Sequence, residues 1–213
     1  YGAHRRKIGD QFFSILGHVA ARDAKTSELA RTVTMPAADA AWRLELDKWE
    51  KVVDEDELEP QPILRAAVRW MRRFPPPPAQ KVSVVHGDYR TGNFLFDSSG
   101  TLRAVLDWEM AHLGDPLEDL AWALDPLWSS DREHPGGMLK REEAIAIWET
   151  ASGLKADPVA LAWWSVFASF KGAAIWISSA KEYQAGTNTD PVMAFSGLYC
   201  LPFHNKRLAD LLL

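Results

Sequence analysis

The chain has only one cysteine among its 213 residues, Cys200. A single cysteine excludes an internal disulfide and a cysteine-rich zinc site, and it favours a reducing compartment. The chain also lacks a basic excess, because 24 lysines and arginines stand against 29 acidic residues and leave a net charge of −5. Neither nucleic acid nor an anionic membrane surface is therefore the expected partner.

Long hydrophobic runs are missing as well. The most apolar stretch begins at Val159 and ends at Phe170, where Lys171 interrupts it, and a bilayer span needs about 20 such residues. We therefore expect a buried core helix here. The first ten residues are charged and lead into no apolar segment of the signal-peptide type. These features predict a cytoplasmic protein.

Helical periodicity dominates the chain before residue 75. The recurrence of apolar residues predicts helices over residues 10–21, 37–53 and 63–74. The second of these presents four apolar residues on one face and leaves for water the charged residues Arg43, Glu45, Asp47 and Lys48. Four consecutive prolines follow, and they predict an extended connector.

Short β-rich runs come next, over residues 82–86, 93–96 and 102–106. A Ser-Ser-Gly turn joins the last two runs and predicts a hairpin. Such a hairpin would bring Asn93 and Asp107 to the same end.

The helical pattern then returns at Asp115. We predict that Asp115 caps a helix, with Pro116 at the first helical position and Glu118 closing a capping box. Further helices are predicted over residues 141–153, from Pro158 onward, and at the end of the chain near Leu212.

The stretch VVHGDYRTGNFLFD, residues 84–97, carries the polar residues most suited to chemistry. An amide oxygen from Asn93 and a carboxylate from Asp107 suit a hard divalent cation, and Mg²⁺ completes a small protein ligand set with water and substrate phosphates. Asp88 would then accept a proton from an attacking hydroxyl.

The motif His86-Gly87-Asp88 with Asn93, followed by Asp107-Trp108-Glu109, resembles the form of the kinase catalytic loop found in the aminoglycoside phosphotransferase and choline kinase superfamily. The longer strings VHGDYRTGNFLFD and VLDWEMAHLGDPLEDLAW resemble especially the branch related to the kinase-like domains of acyl-CoA dehydrogenases. The resemblance implies ATP as co-substrate and a hydroxyl group of a small molecule as acceptor.

The same resemblance assigns roles to individual residues. It implies that Asp88 is the catalytic base and that Asn93 and Asp107 are Mg²⁺ ligands. It also implies that four residues support the catalytic loop: His86, Arg90, Asp115 and Asp119.

Ordinary structural roles stay open for several of these residues. His86 follows an apolar strand and fits a satisfied buried histidine. Asp115 is explained as a helix cap. Glu109 either faces the substrate beside the metal ligands or is solvated. Asp97 and Ser98 fit a plain hairpin turn.

The implied fold class is α+β and mainly α, the C-terminal lobe of a protein-kinase-like phosphotransferase with a small β-hairpin insert. A single lobe would cover residues 1–213. Its parts would be a helical segment (1–74), a proline-rich connector (75–80), a catalytic and metal-binding β-insert (81–114) and a helical subdomain (115–213). The sequence shows no glycine-rich loop and no nucleotide lobe before His86. The chain is therefore either a fragment of a longer protein or a reduced protein that cannot hold ATP alone, and we expect a fragment that is inactive without that lobe.

Two other functions stay open. A kinase-like fold can serve as a non-catalytic binding or regulatory module, and two aspartates can support a phosphohydrolase that uses no nucleotide. The identity of the acceptor and the oligomeric state are not predicted by the sequence.

Overall fold

The computed structural model describes residues 2–129, 131 and 133–212. The chain divides into two compact units, which we call the first unit (Tyr1–Ala41 with Pro77–Trp164) and the second unit (Trp42–Pro76 with Ser165–Leu213). The proline-rich connector contains one of the boundaries between them. The predicted lobe of residues 1–213 also includes Tyr1, Ser130, Arg132 and Leu213, which lie outside the described residues.

The helices of the first unit are α1 (Arg5–Ala21), α2 (Leu29–Thr32), α5 (Leu117–Ala123), α6 (Arg141–Ser152) and the start of α7 (Pro158–Ala185). Helix α1 begins at Arg5 and not at residue 10, so the predicted start was wrong. Helices α6 and α7 begin where predicted. Gly153 ends α6 in a left-handed conformation, which glycine adopts at little cost.

Helices α1 and α6 pack closely because Gly17 has no side chain. A Cβ atom at Gly17 would lie 2.6 Å from the Cβ of Ala151 and 2.8 Å from the carbonyl oxygen of Trp148. Both distances are too short for real contacts, so this helix pair depends on the glycine.

Two antiparallel pairs of short strands lie in the described part of the first unit: β1 (Ser83–Val85) with β4 (His112–Gly114), and β2 (Phe94–Phe96) with β3 (Leu102–Val105). The predicted hairpin of β2 and β3 is confirmed. Its register pairs Phe94 with Val105, and the N–H of Leu106 donates to the carbonyl of Asn93 at 2.9 Å. Asn93 and Asp107 therefore lie at the same end of the hairpin.

Helix α1 anchors the strands by side-chain to backbone hydrogen bonds. The hydroxyl of Tyr89 donates to the carbonyl of Phe12 at 2.7 Å, and the hydroxyl of Ser83 donates to that of Ala20 at 2.6 Å. Gln11 donates to the carbonyl of Gly100 at 2.9 Å in the turn of the hairpin. The strands and the loop between β1 and β2 are thus fixed at several points to one long helix.

The regular elements in the described residues of the second unit are all helices. It comprises α3 (Ala41–Asp56, from Trp42 onward), α4 (Pro62–Arg73), the remainder of α7, α8 (Pro191–Phe195), a π-helical turn (Ser196–Cys200) and α9 (Leu201–Leu212). Helix α3 starts later than the predicted residue 37, because residues 37–40 form a turn.

The predicted apolar face of α3 is confirmed, since its members are at most 6% exposed: Trp42, Leu46, Trp49 and Val53. The prediction that Glu45 faces water was wrong. Glu45 is buried, and its carboxylate lies 3.2 Å from the ammonium of Lys48. A helical period locates the apolar face but does not exclude an acid at its margin when a lysine lies one turn away.

Helix α7 is the most apolar element. It is 28 residues long, which by length and composition would suffice to cross a membrane, and 78% of its most apolar window is buried within the chain. Burial of this extent is typical of a core helix. The helix continues through Lys171, which is itself buried with its ammonium 5.5 Å from the ring centre of Trp49.

Candidate active site

The carboxylate of Asp88 lies at the centre of a hydrogen-bond network. Its Oδ1 accepts from the indole N–H of Trp122 at 2.8 Å, and its Oδ2 accepts from the amide of Asn93 at 2.6 Å. The Nε of Arg90 lies 3.0 Å from Oδ1 and 3.2 Å from Oδ2. Gly87 enables this turn with a φ of 85°, and a Cβ there would lie 2.6 Å from the carbonyl oxygen of Met110.

The side chain of Asn93 has a determined orientation. Its Nδ2 donates both to the Asp88 carboxylate and to the Asp88 backbone carbonyl, the latter at 2.9 Å. Both atoms are acceptors, so the amide nitrogen must face them. The amide oxygen is thereby turned away and remains available to a cation.

Asp107 differs from Asp88 in having an exposed carboxylate that makes no hydrogen bond or ion pair to any described residue. Asp107 follows β3 and has a φ of 67°. Within residues 2–129, 131 and 133–212, every other residue with a positive φ is a glycine. Aspartate tolerates this conformation better than most residues, although it still carries a backbone cost. A strained residue with an unused carboxylate is a candidate for ligand binding.

The donor set at this end of the hairpin fits a magnesium ion. Asn93 offers an amide oxygen and Asp107 offers a carboxylate, and both are the hard oxygen ligands that Mg²⁺ prefers. The structure places the two residues on adjacent strand ends.

His86 lies in the loop with both ring nitrogens engaged. The N–H of Asp88 donates to Nδ1 at 3.1 Å, so Nδ1 carries no proton, and Nε2 must donate to the carbonyl of Leu106 at 2.9 Å. The ring therefore joins the turn at Asp88 to the strand end that precedes Asp107. The ring of Trp108 covers it at 4.4 Å between centroids.

Asp119 supports the same turn from α5. Its carboxylate accepts from the backbone N–H of His86 at 2.6 Å and from that of Gly87 at 2.9 Å. Burial is the main influence on this carboxyl, and it raises the pKa of Asp119. The structure thus brings Asp119 directly onto the turn at His86 and Gly87.

Asp115 lies elsewhere. Its carboxylate accepts from the N–H of Leu117 at 2.9 Å and from the indole of Trp164 at 3.0 Å, and no hydrogen bond to residues 86–93 is among its described contacts. Burial raises the pKa of Asp115 to about 6. The bond from Leu117 ties Asp115 to the start of α5, although Pro116 and not Asp115 is the N-cap residue.

The start of α5 differs in detail from the prediction. The helix begins at Leu117, one position after Pro116. Glu118 closes no capping box. Its buried carboxylate lies 3.1 Å from Nε2 of His112 in β4, a residue that the local pattern could not indicate.

The sequence pattern did not lead us to predict two tryptophans that lie at the site. Trp122 donates to Asp88 from α5, and the ring of Trp128 lies 4.9 Å from the guanidinium carbon of Arg90. Trp122 follows Asp119 by three positions, which places both on one helix face, and this spacing could have identified it. Glu109 is exposed and makes no described hydrogen bond, so the structure does not bring it into the network.

The chain belongs to the phosphotransferase enzyme family, because the model of that family matches residues 1–163. Among curated proteins, the chain is 27% identical to acyl-CoA dehydrogenase family member 11 of Pongo abelii over 159 residues, which is 68% of this chain and 20% of that protein. It is 32% identical to the protein of the same name from Gallus gallus over 82 residues, 38% of this chain and 11% of that protein.

Solved structures show the same fold. A candidate aminoglycoside phosphotransferase from Ralstonia eutropha superposes with a TM-score of 0.83 at 21% identity, covering 98% of this chain and 66% of that one. Macrolide 2'-phosphotransferase type I gives a TM-score of 0.59 at 17% identity, covering 89% of this chain and 57% of that one. The mainly helical fold is that of the C-terminal lobe of a phosphotransferase, and the chain spans only part of each relative.

Proposed function

We propose that the protein to which this chain belongs is an ATP- and Mg²⁺-dependent phosphotransferase that moves the γ-phosphoryl group to a hydroxyl of a small molecule. The observation that supports this most strongly is the direct contact of Asp88 with Asn93, at the same hairpin end as the unpaired carboxylate of Asp107. Family membership supports the reaction class.

Asp88 is suited to the role of general base. Three side chains fix its carboxylate, so it presents a defined oxygen to an incoming hydroxyl. In the proposed reaction the hydroxyl oxygen bonds to the γ-phosphorus, and the bond from that phosphorus to the bridging oxygen breaks. Its electron pair leaves with ADP, and the hydroxyl proton passes to Asp88.

Asn93 and Asp107 would hold the magnesium ion. When bound, the ion neutralises charge on the phosphate oxygens. The side-chain contact with Asp88 keeps Asn93 Oδ1 directed away from the base, so base and metal ligand do not compete for the same atom. Asp107 adds the negative charge that an amide cannot supply.

The test requires the full-length protein, because this chain spans 66% of the Ralstonia eutropha structure. We would measure ADP release from Mg-ATP with a panel of hydroxyl-bearing compounds: an aminoglycoside, a macrolide, choline and a hydroxyacyl thioester of coenzyme A. For an acceptor that supports turnover, Asp88→Asn should lower kcat by at least about 100-fold, since general-base catalysis contributes that much.

Asp97→Asn is the matched control, because it removes the same charge from the far end of the same hairpin. It should leave kcat within a few fold of the wild type. Equal kcat values for wild type and Asp88→Asn would refute the assignment of the base. Phosphomonoester hydrolysis without nucleotide would refute the transferase and favour a phosphohydrolase.

A further inference from the structure

A segment of the second unit, from Pro191 to Phe203, carries no charged residue. It comprises α8, the π-helical turn and the start of α9, so it is helical throughout. A helix at a protein surface normally presents charged residues to water. Four large apolar side chains of this segment are instead more than half exposed: Val192, Phe195, Leu198 and Tyr199. The segment therefore has an apolar face that the described residues leave uncovered.

The exposed side chains lie next to one another. Val192 and Phe195 are one turn apart on α8, and the ring of Phe195 stacks on that of Tyr199 with 5.1 Å between centroids and 15° between planes. Leu198 continues this surface to a cavity of about 420 Å³ in the same unit, and two more exposed residues line that cavity. We define the apolar patch by these six residues: Leu58, Tyr183, Val192, Phe195, Leu198 and Tyr199.

The cavity beside Leu198 is itself mostly apolar, and its walls include Ile177, Ala180 and Leu201. The π-helical turn lies close to α7 at this point, because a Cβ at Gly197 would lie only 2.7 Å from the Cβ of Ala180. Leu198 is 81% exposed at the edge of the cavity. One surface thus supplies both a projecting side chain and a hollow, which is what a two-fold contact between identical chains requires.

We propose that the apolar patch is the contact surface of a homodimer, in which Leu198 of each protomer enters the apolar cavity of the other. Residues near a two-fold axis face their own copies, so a charged residue there would meet its like. The uncharged segment from Pro191 to Phe203 avoids this repulsion, although the whole chain carries a net charge of −5. The inference does not depend on the proposed function.

The size of the patch agrees with a stable dimer. A standard interface buries about 800 Å² per partner, of which about 57% is apolar, or roughly 450 Å². An aromatic side chain covers about 200 Å², so the three aromatic residues of the patch, each about half exposed, provide roughly 300 Å². Leu58, Val192 and Leu198 are each more than half exposed and supply the remaining area.

Two other occupants match the patch less well. Helices that bind a membrane surface carry lysine or arginine on their polar face, and the segment from Pro191 to Phe203 has neither. A small apolar molecule in the cavity would leave Val192, Phe195 and Tyr199 in water. A second copy of the chain covers both the cavity and the stacked rings.

The first experiment measures the mass of the full-length protein by sedimentation over a micromolar concentration series. Leu198→Asp should raise the dissociation constant of the dimer at least about 100-fold, because each dimer carries the substitution twice at the centre of the contact. Leu198 is exposed in the single chain, so the thermal midpoint of the monomeric variant should show that it is folded. The matched control is Leu44→Asp. Leu44 is also exposed and belongs to the same unit, but it lies on α3 about 20 Å along the helix from Leu58.

Leu44→Asp should keep the wild-type dissociation constant. A wild type that is monomeric over the whole series would overturn the inference, and so would a Leu198→Asp variant with the mass of the wild-type dimer. Flotation of a monomeric wild type with phosphatidylcholine vesicles would assign the patch to a membrane instead.

A cross-linking experiment distinguishes this surface from any other dimer contact. Leu198→Cys and Tyr183→Cys are prepared separately in a Cys200→Ser background, so that the native thiol does not react, and the two full-length variants are mixed under mild oxidation. We expect a disulfide between position 198 of one chain and position 183 of the other, identified by mass spectrometry of the linked peptides. A dimer in which this link does not form would overturn the assignment of the patch.

Discussion

The two ends of the hairpin of β2 and β3 treat their aspartates in opposite ways. At the turn, Oδ1 of Asp97 accepts three hydrogen bonds: from the N–H of Ser99 at 2.9 Å, from the hydroxyl of Ser99 at 2.6 Å and from the N–H of Thr101 at 3.1 Å. Its Oδ2 accepts from the guanidinium of Arg103 at 2.6 Å. At the open end, Asp107 has no described partner and a left-handed backbone. The two carboxylates are only ten positions apart in the sequence.

The difference separates a structural acid from a candidate functional one. Hydrogen bonds from Ser99 and Thr101 and the ion pair with Arg103 hold the pKa of Asp97 well below its usual range. Each of these donors is within six positions of Asp97, so the turn satisfies itself. Asp107 contributes no such contact and carries backbone strain, a combination expected where a ligand supplies the missing interaction.

The largest expected effect is on catalysis. Asp107→Asn should lower kcat by about 100-fold, because it removes the charge of one proposed magnesium ligand while keeping the same shape. The Mg²⁺ concentration needed for half-maximal rate should also rise. ADP release measured over a magnesium series checks both.

Asparagine also tolerates a positive φ, so the thermal midpoint of Asp107→Asn should match the wild type. Asp97→Asn should retain the wild-type magnesium dependence. Identical magnesium curves for wild type and Asp107→Asn would remove the distinction between the two hairpin ends.

A smaller effect is expected on stability, with opposite signs at the two ends. Asp107→Gly relieves the strained backbone and should raise the free energy of unfolding by roughly 0.5–1 kcal/mol. The gain is smaller than the full cost of the left-handed conformation, because glycine loses more backbone entropy on folding than aspartate does. Asp97→Ala removes the acceptor of the turn and should lower the thermal midpoint. Thermal unfolding of both variants measures the contrast, which would be lost if Asp107→Gly were the less stable of the two.

The smallest effect is the pH dependence of the turn. The folded-state pKa of Asp97 is lowered, so its contribution to stability is complete above its unfolded pKa of about 3.9 and is lost as the pH falls toward the folded value. Between about pH 4 and pH 2 the urea midpoint of the wild type should therefore fall more steeply than that of Asp97→Ala. Since the Asp97 side chain is 29% exposed and pairs with the exposed Arg103, added salt should reduce this difference. If the urea midpoints of the wild type and Asp97→Ala fell equally with pH, the contacts of Asp97 in the turn would contribute little to the stability of the fold.

Several elements were predictable because their determinants are close together in the chain. Helix α6 ends at Gly153 as the glycine indicated, and Asp157 caps α7 by accepting from the N–H of Ala160 at 2.8 Å. The hairpin followed from two β-rich runs and the short turn at Asp97. In each case a bond between near neighbours sets the local conformation.

Other features depended on distant partners. Strand β4 has three residues and pairs with β1, so neither its length nor its pattern identified it. Glu118 matched a capping box, yet its buried carboxylate lies 3.1 Å from Nε2 of His112. Local propensity gives way here because desolvating an acid without a partner costs more than a cap provides.

For the candidate site, the sequence by itself determined which residue types lie together, since Asp88 and Asn93 belong to one short loop and a hairpin returns the chain to Asp107. Only the tertiary structure decided how Asp88 is held, because the indole of Trp122 and the carboxylate of Asp119 reach the loop from α5. Spacing along a chain restricts neighbours within a few residues, whereas hydrogen bonds between elements depend on how their buried faces pack.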